Sequence, residues 1–291
     1  MKKITKVLAV ILALVAVASC FAGCSNNADN SGAASTAKVK VIDIDLSSEE
    51  YAFGVDKNQP ELMQAANELI AEIKENGQLD EICNHYFGEG EPVGVTSATE
   101  DASKDQLIVA TNAEFEPFEY KKGDTFYGID MEIAQLLADK LGKELVIKDM
   151  KFDAVLLSVQ QQKCDIGMAG LTVSEERQQQ VNFTDSYYSA SQRLVVKGDD
   201  TTFDNCKSVE DVEAILNGLD SSVKIGGQNG TTGQSYVQGS EDLGFAGLKA
   251  EFVGYDNGSL AIQDLINGGV QYVIIDAAPA QAITTSINAV N

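Results

Sequence analysis

The chain has 291 residues, enough for one large domain or two ordinary lobes, and its 21 basic and 44 acidic residues give a formal charge of −23. So acidic a body repels phosphate backbones and anionic lipid, which argues against nucleic acid as a partner. The single histidine and five cysteines follow no metal-site spacing, and no HExxH, GxSxG or Walker loop is present.

In chain order, residues 1–23 read as a secretory leader: Lys2, Lys3 and Lys6, an apolar run from Val7 to Val17 that is short for a permanent span, then small residues. Phe21-Ala22-Gly23-Cys24 resembles a lipobox, which implies a lipid on Cys24, with Cys20 as the competing site. Residues 24–37 form a Ser/Asn/Ala/Gly tether too poor in apolar side chains to order itself. Val39 to Asp45 alternates apolar and polar, as a half-buried strand does, and 51–55 reads as a second short strand. Pro60 opens a helix with apolar Leu62, Ala66, Leu69, Ile70 and Ile73, closed at Gly77. Leu79, Ile82, Cys83, Tyr86 and Phe87 mark another amphipathic helix, and lone His85 near its end reads as a surface residue. Residues 91–106 have no sustained period and read as a flexible linker, able to reach roughly 50 Å when extended.

From Leu107 strands are predicted at 107–111, 144–148, 164–168, 193–196, 223–226, 249–252 and 270–275. Helices are predicted at 131–141, 152–162, 174–180, 209–216, 232–238, 259–267 and 279–287. This alternation predicts parallel sheets covered by helices on both faces. Cys83, Cys164 and Cys206 read as buried free thiols.

The segments LIVATNAEFEPFEY, GIDMEIAQLLADKLG, FDAVLLSVQQQKCDIGMAGLTVSEER, IGGQNGTTGQSY and VIIDAAPA resemble the family 3 extracellular solute-binding proteins, which deliver polar amino acids to ABC importers. Val41 to Gly88 resembles that family's last strand and closing helices, so the parts stand in permuted order. The resemblance implies an α/β, type II periplasmic-binding-protein-like fold, circularly permuted, with two lobes joined by crossing strands at 49–55 and 193–197. Lobe 1 would hold 56–90 and 107–192, with 91–106 joining the family's usual termini. Lobe 2 would hold 38–48 and 198–291. A gene fragment or a tandem array caught out of frame is the alternative to permutation.

Read by itself, Arg177 in SEERQQQ is a surface arginine; the resemblance implies that it takes the ligand's carboxylate, helped by Thr172, Thr231 and Thr232. Asp276 follows an apolar strand, where open α/β sheets place their ligands, and a helix N-cap is its bland role. The resemblance implies that it takes the ligand's ammonium, with Gly170. Phe115 and Phe152 are implied to sandwich the ligand side chain. Asn112 stands where the family often has Asp, which favours a neutral polar ligand, while Glu114 and Glu119 are nearby acids that would restore a preference for a cation. The expected function is that of a binding protein without cofactor, lipid-anchored on the outer face of the cell membrane, partnered by importer permease subunits. A monomer is expected, with a domain-swapped dimer as the alternative. The competing functions are a dehydratase-like enzyme on the same fold and a sensory ligand-binding domain.

Overall fold

Local signals set many element ends. Pro60 occupies a first helical turn, Asn257 accepts from the Leu260 N–H, and Ser208 and Asp211 form a reciprocal capping box. Gly142 and Gly268 end their helices in the left-handed region, as their positions in sequence imply. The computed structural model describes residues 37–290; both candidate lipid sites, Cys20 and Cys24, lie outside the described residues.

The first part of the chain comprises β1 (Val39–Val41), β2 (Glu49–Tyr51), β3 (Gly54–Val55), α1 (Pro60–Glu75) and α2 (Gln78–Phe87). After residues 88–105 come β4 (Gln106–Thr111), β5 (Glu114–Phe115), β6 (Glu119–Lys122), β7 (Thr125–Tyr127), α3 (Ile129–Leu141), β8 (Glu144–Asp149) and α4 (Phe152–Gln160). Next are β9 (Ile166–Gly167), α5 (Glu175–Gln180), β10 (Asn182–Phe183), β11 (Tyr188–Ala190) and β12 (Gln192–Lys197). The chain closes with α6 (Val209–Asn217), β13 (Lys224–Gln228), α7 (Thr232–Gln238), β14 (Glu251–Tyr255), α8 (Gly258–Asn267), β15 (Tyr272–Asp276) and α9 (Ala277–Ala289).

Two five-stranded sheets result, ordered β10-β3-β9-β4-β8 in lobe 1 and β1-β12-β15-β13-β14 in lobe 2. Each is buried on both faces. Leu194 and Val196 pack into one core of lobe 2, with Phe203, Val212 and Leu216, while Val195 between them packs into the other, with Ile262 and Leu265. Lobe 1 does the same with Val109 and Ala110.

Four expectations are corrected. The sheets are mixed rather than wholly parallel: β12 runs antiparallel to both β1 and β15, and β3 antiparallel to β9 and β10. The chain passing between lobes enters each sheet against the direction set by its strand-helix units. The expected crossings change as well, because Gly54–Val55 and Gln192–Lys197 are strands of the large sheets: the first narrows to the start of 49–55 and the second moves back from 193–197. What lies between the sheets along the chain is a separate antiparallel ladder of β2 with β11, pairing Tyr51 with Tyr188. Residues 91–106, too, are not free coil. Val95 is buried and paired with Phe126, the Ala98 N–H donates to the Leu145 carbonyl at 2.8 Å, and the Ile147 N–H donates to Ser97 Oγ at 2.8 Å. Of the three thiols, Cys164 is buried as expected, whereas Cys83 and Cys206 are partly exposed.

The two ends of the described chain meet. The Lys38 N–H donates to Asn288 Oδ1 at 2.8 Å, and Asn288 Nδ2 donates to the Val39 carbonyl at 2.8 Å.

Candidate functional site

Between the lobes lies a cluster of buried and half-buried polar side chains. From lobe 1, Arg177 Nη1 donates to the Thr172 carbonyl at 2.7 Å; across the cleft, Nη2 donates to the Gly230 carbonyl at 3.0 Å. Its guanidinium lies 5.5 Å from the Phe152 ring centroid, a cation–π stack. Burial lowers the basicity of Arg177, and the fields of Glu49 and Asp276 oppose that shift. Two of its five N–H groups are thus taken within the protein.

Glu49 is the buried hub. Its Oε2 accepts from the Thr172 hydroxyl at 2.6 Å, and its Oε1 accepts from Ser47 Oγ at 2.6 Å and Gln192 Nε2 at 3.0 Å. The Thr232 hydroxyl, in the first turn of α7, reaches Thr172 Oγ1 at 3.2 Å. Asp276 ends β15 and precedes α9 without capping it through its side chain; it accepts instead from the Tyr51 hydroxyl at 2.5 Å. Burial, then the neighbouring Glu49 carboxylate, push Asp276 up to about 7, against the Tyr51 hydroxyl, which pulls it down.

Gly170 adopts φ +53°, and a Cβ there would come within 2.9 Å of the Phe115 ring, so only glycine lets this turn lie against the aromatic side chain. The Gly170 N–H donates to Asp130 Oδ2 at 2.9 Å, and Tyr187 donates its hydroxyl to the other oxygen. Burial raises Asp130 to about 7. Opposite Phe115 across the β5–β6 ladder sits Glu119, on the same face. It is wholly buried, and neither carboxylate oxygen has a hydrogen-bond partner among the described residues. Burial, then Asp130, Asp276 and Asp149, hold its carboxyl well above the usual range.

Other expected residues are placed differently. Glu114 is exposed and accepts from Asn257 Nδ2 at 3.0 Å; strand alternation turns it outward as Phe115 turns in. Thr231 donates its hydroxyl to the Gln228 carbonyl at 2.8 Å, serving the turn rather than the cleft. Asn112 is buried between its Nδ2 bond to the Met150 carbonyl and an Oδ1 bond from Gln228 Nε2, both 2.8 Å. Phe152 stacks on Arg177. His85 is no free surface residue: its Nδ1 lies 3.0 Å from both Glu132 carboxylate oxygens, tying α2 to α3.

Glu49, Tyr51 and Asp130 were not singled out from sequence. For Glu49 a signal exists in SSEEY, since strand alternation puts Glu49 and Tyr51 on one buried face and Glu50 outside. A polar cavity of about 220 Å³ opens at the cleft, bounded by Phe152, Thr172, Arg177, Gly230, Thr232 and Asp242. Chemically, a guanidinium with spare donors facing buried carboxylates suits a small molecule bearing both charges. Among the described residues no cluster of three or more His, Cys, Asp or Glu could hold a metal ion, and no helix is long and apolar enough to cross a membrane.

The sequence model described as bacterial extracellular solute-binding proteins, family 3, matches residues 107–278. The arginine-binding extracellular protein ArtP of Bacillus subtilis (strain 168) is 38% identical over 106 residues, 36% of this chain and 42% of that protein. The ABC transporter arginine-binding protein 1 of Escherichia coli (strain K12) is 27% identical over 178 residues, 61% of this chain and 65% of that protein. The matched regions thus span less than two thirds of either relative. Among solved structures, an ancestral arginine-binding protein bound to arginine is 35% identical with a TM-score of 0.52, covering 63% of this chain and 75% of its own. The ancestral amino acid-binding protein AncCDT-1, described as a precursor of cyclohexadienyl dehydratase, is 29% identical at a TM-score of 0.52, covering 72% of this chain and 78% of its own.

Proposed function

The chain belongs to the bacterial extracellular solute-binding proteins, family 3, with their type II periplasmic-binding fold, and from that membership we propose that it captures a polar L-amino acid between its lobes for an ABC importer. The observation that carries this reading is the bonding across the cleft of Arg177 to Gly230 and of Thr232 to Thr172, with Glu49 bonded to Thr172 and the fields of Glu49 and Asp276 acting on the guanidinium. Arg177, stacked on Phe152, offers its remaining N–H groups to the ligand carboxylate, and Thr172 and Thr232 lie beside it. Asp276 takes the ammonium, steadied by Tyr51. The ligand side chain runs past Phe115 and Gly170 toward Glu119, whose unpartnered oxygens suit a donor-rich, cationic end. The arginine-binding relatives support the same side-chain class, and Asn112, spent on Met150 and Gln228, no longer argues for a neutral one. Closure about the β2–β11 ladder follows from contacts that the ligand makes with both lobes at once.

The same reading places the protein outside the cell, held by a lipid on Cys24 and working as a monomer with permease subunits. It also takes the chain as circularly permuted: β1 to α2 supply strands and helices to both lobes yet precede the matched region, and Lys38 and Asn288 lie in contact. Thermal melts against the common L-amino acids test the binding role. A ligand at about 100 to 1,000 times its dissociation constant adds roughly 2.7–4.1 kcal/mol, a shift of several degrees. A cooperative melt that no amino acid moves would sink the proposal.

A dehydratase-like activity is the second reading. Glu119 is a wholly buried carboxyl whose hold on its proton burial strengthens, the direction of shift that a general acid requires. Incubation with ring-bearing amino acid precursors and mass spectrometry of the products decides it; binding without turnover removes this reading.

A further inference from the structure

Helix α5 carries Arg177, and its first-turn amides have partners on both lobes. The Arg177 N–H is capped from within lobe 1 by Ser174 Oγ at 3.2 Å. The two amides before it reach across the cleft: the Glu175 N–H donates to Asp242 Oδ1 and the Glu176 N–H to Asp242 Oδ2, both at 2.9 Å. Asp242 belongs to the turn between α7 and β14 in lobe 2, a loop closed by the Ser240–Phe245 bridge. Its carboxylate is held below the usual range, chiefly by the Glu176 N–H. Ser240, Asp242 and Leu243 of this loop wall the same cavity as Arg177.

These amides have no intrahelical acceptor, so they find either the other lobe or water. A carboxylate accepting two parallel N–H bonds exists here only when the lobes are together. We infer that the 240–245 turn is a latch of lobe 2, and that Asp242 is a positioning residue which fixes the arginine-bearing helix in the closed state and sets how long a ligand stays. Arg177 is then gripped from both sides: its own Nη2 bonds to Gly230, and its helix is held at the N-terminus by Asp242. The contact forms only once the two lobes have come together, so its loss acts on escape rather than on encounter. The inference rests on the binding-and-closure reading above for its kinetic consequence, whereas the contact itself needs only the two lobes together.

The test is stopped-flow kinetics of L-arginine and L-glutamine on the full chain, wild type against Asp242→Ala and Asp242→Asn, with ligand-free small-angle scattering of the same proteins. Asp242→Ala should raise the dissociation rate roughly tenfold and leave the association rate within about twofold, and Asp242→Asn, which keeps one acceptor, should fall between. The ligand-free radius of gyration should increase in Asp242→Ala while the melt stays cooperative. An unchanged dissociation rate overturns the latch, as does an association rate that falls in step with it, which would mean Asp242 shapes the open lobe. If the wild type binds neither amino acid, the functional reading is what has failed. Scattering then decides the latch alone: equal radii for wild type and variants overturn it. Should Asp242→Ala fail to fold, Asp242→Asn carries both measurements.

Discussion

Asp276, Asp130 and Glu119 share an acidic interior, and pH therefore acts on this protein in a definite direction. Asp276 and Asp130 stand at about 7 when folded, and Glu119 is also raised, whereas unfolded carboxyls titrate near 4. Between those values the folded chain binds more protons than the unfolded one, so ligand-free stability rises as pH falls from about 8 to 5 and is lost on the way back up. Carboxylates held low, such as Asp242 and Asp45, lose their contribution only at still lower pH. Melts of the ligand-free protein at pH 5.5 and 8 should show the higher midpoint at pH 5.5; the reverse order would mean these three acids are solvated. A ligand ammonium requires Asp276 ionised, so affinity should weaken by up to about tenfold per unit as pH drops below 7, measurable by calorimetry in buffers of different ionisation enthalpy. Arg177→Ala should cost about 100-fold or more in affinity, since it removes charge-assisted bonds. Glu119→Gln should lower affinity for arginine while sparing citrulline, its neutral isostere. Equal losses for the two would show that Glu119 does not read side-chain charge. Arg177 and Asp276 stand out in the sequence only because local motifs carry the family resemblance. Glu49 does not, since its partners Thr172 and Gln192 are more than a hundred residues away in the chain.

At the scale of elements, helices announced themselves and short strands did not. The amphipathic period of α1 and the glycine stops of α3 and α8 give their bounds closely. The two- and three-residue strands β5, β7, β10 and β11 carry too few residues for a period to show. For that reason the second crossing is read at the longer apolar β12 rather than at β11, whereas β2 falls inside the expected 49–55 crossing. β1 is equally short, yet Val39 is wholly buried and paired with Lys197 at the open edge of the lobe 2 sheet. Deleting residues 39–45 would strip that edge and remove the Asp45 partner of Arg193 and Ser191. The truncated chain should lose cooperative melting or associate, as judged by calorimetry and gel filtration. A monomer that melts and binds like the parent would show that β1 is not part of the working lobe.

For the whole molecule, the order of the parts differs from their arrangement in space. A rearranged chain that begins at Leu107, runs to Val290, joins directly to Ala37 and ends at Gly88 keeps every strand of both sheets. It should melt within a few degrees of the parent and bind the same ligand with similar affinity. The cut costs the packing of Val95, the bonds of Ser97, Ala98 and Gln106, and the exposed ion pairs of Glu100, Lys104 and Asp105. A rearranged chain that does not fold would show that residues 91–106 are structural rather than connecting. Their pattern revealed a connection but not its attachment, because one buried valine in sixteen residues leaves no period to read.

The contact between Lys38 and α9 has a mechanical meaning as well. If the chain is fastened ahead of Ala37, as proposed, it is held through lobe 2, and lobe 2 would be the stator and lobe 1 the arm that swings. The arm carries Arg177, and the stator carries Asp276 and Asp242. A tethered molecule would therefore fold its carboxylate-gripping half down onto a platform that stays still.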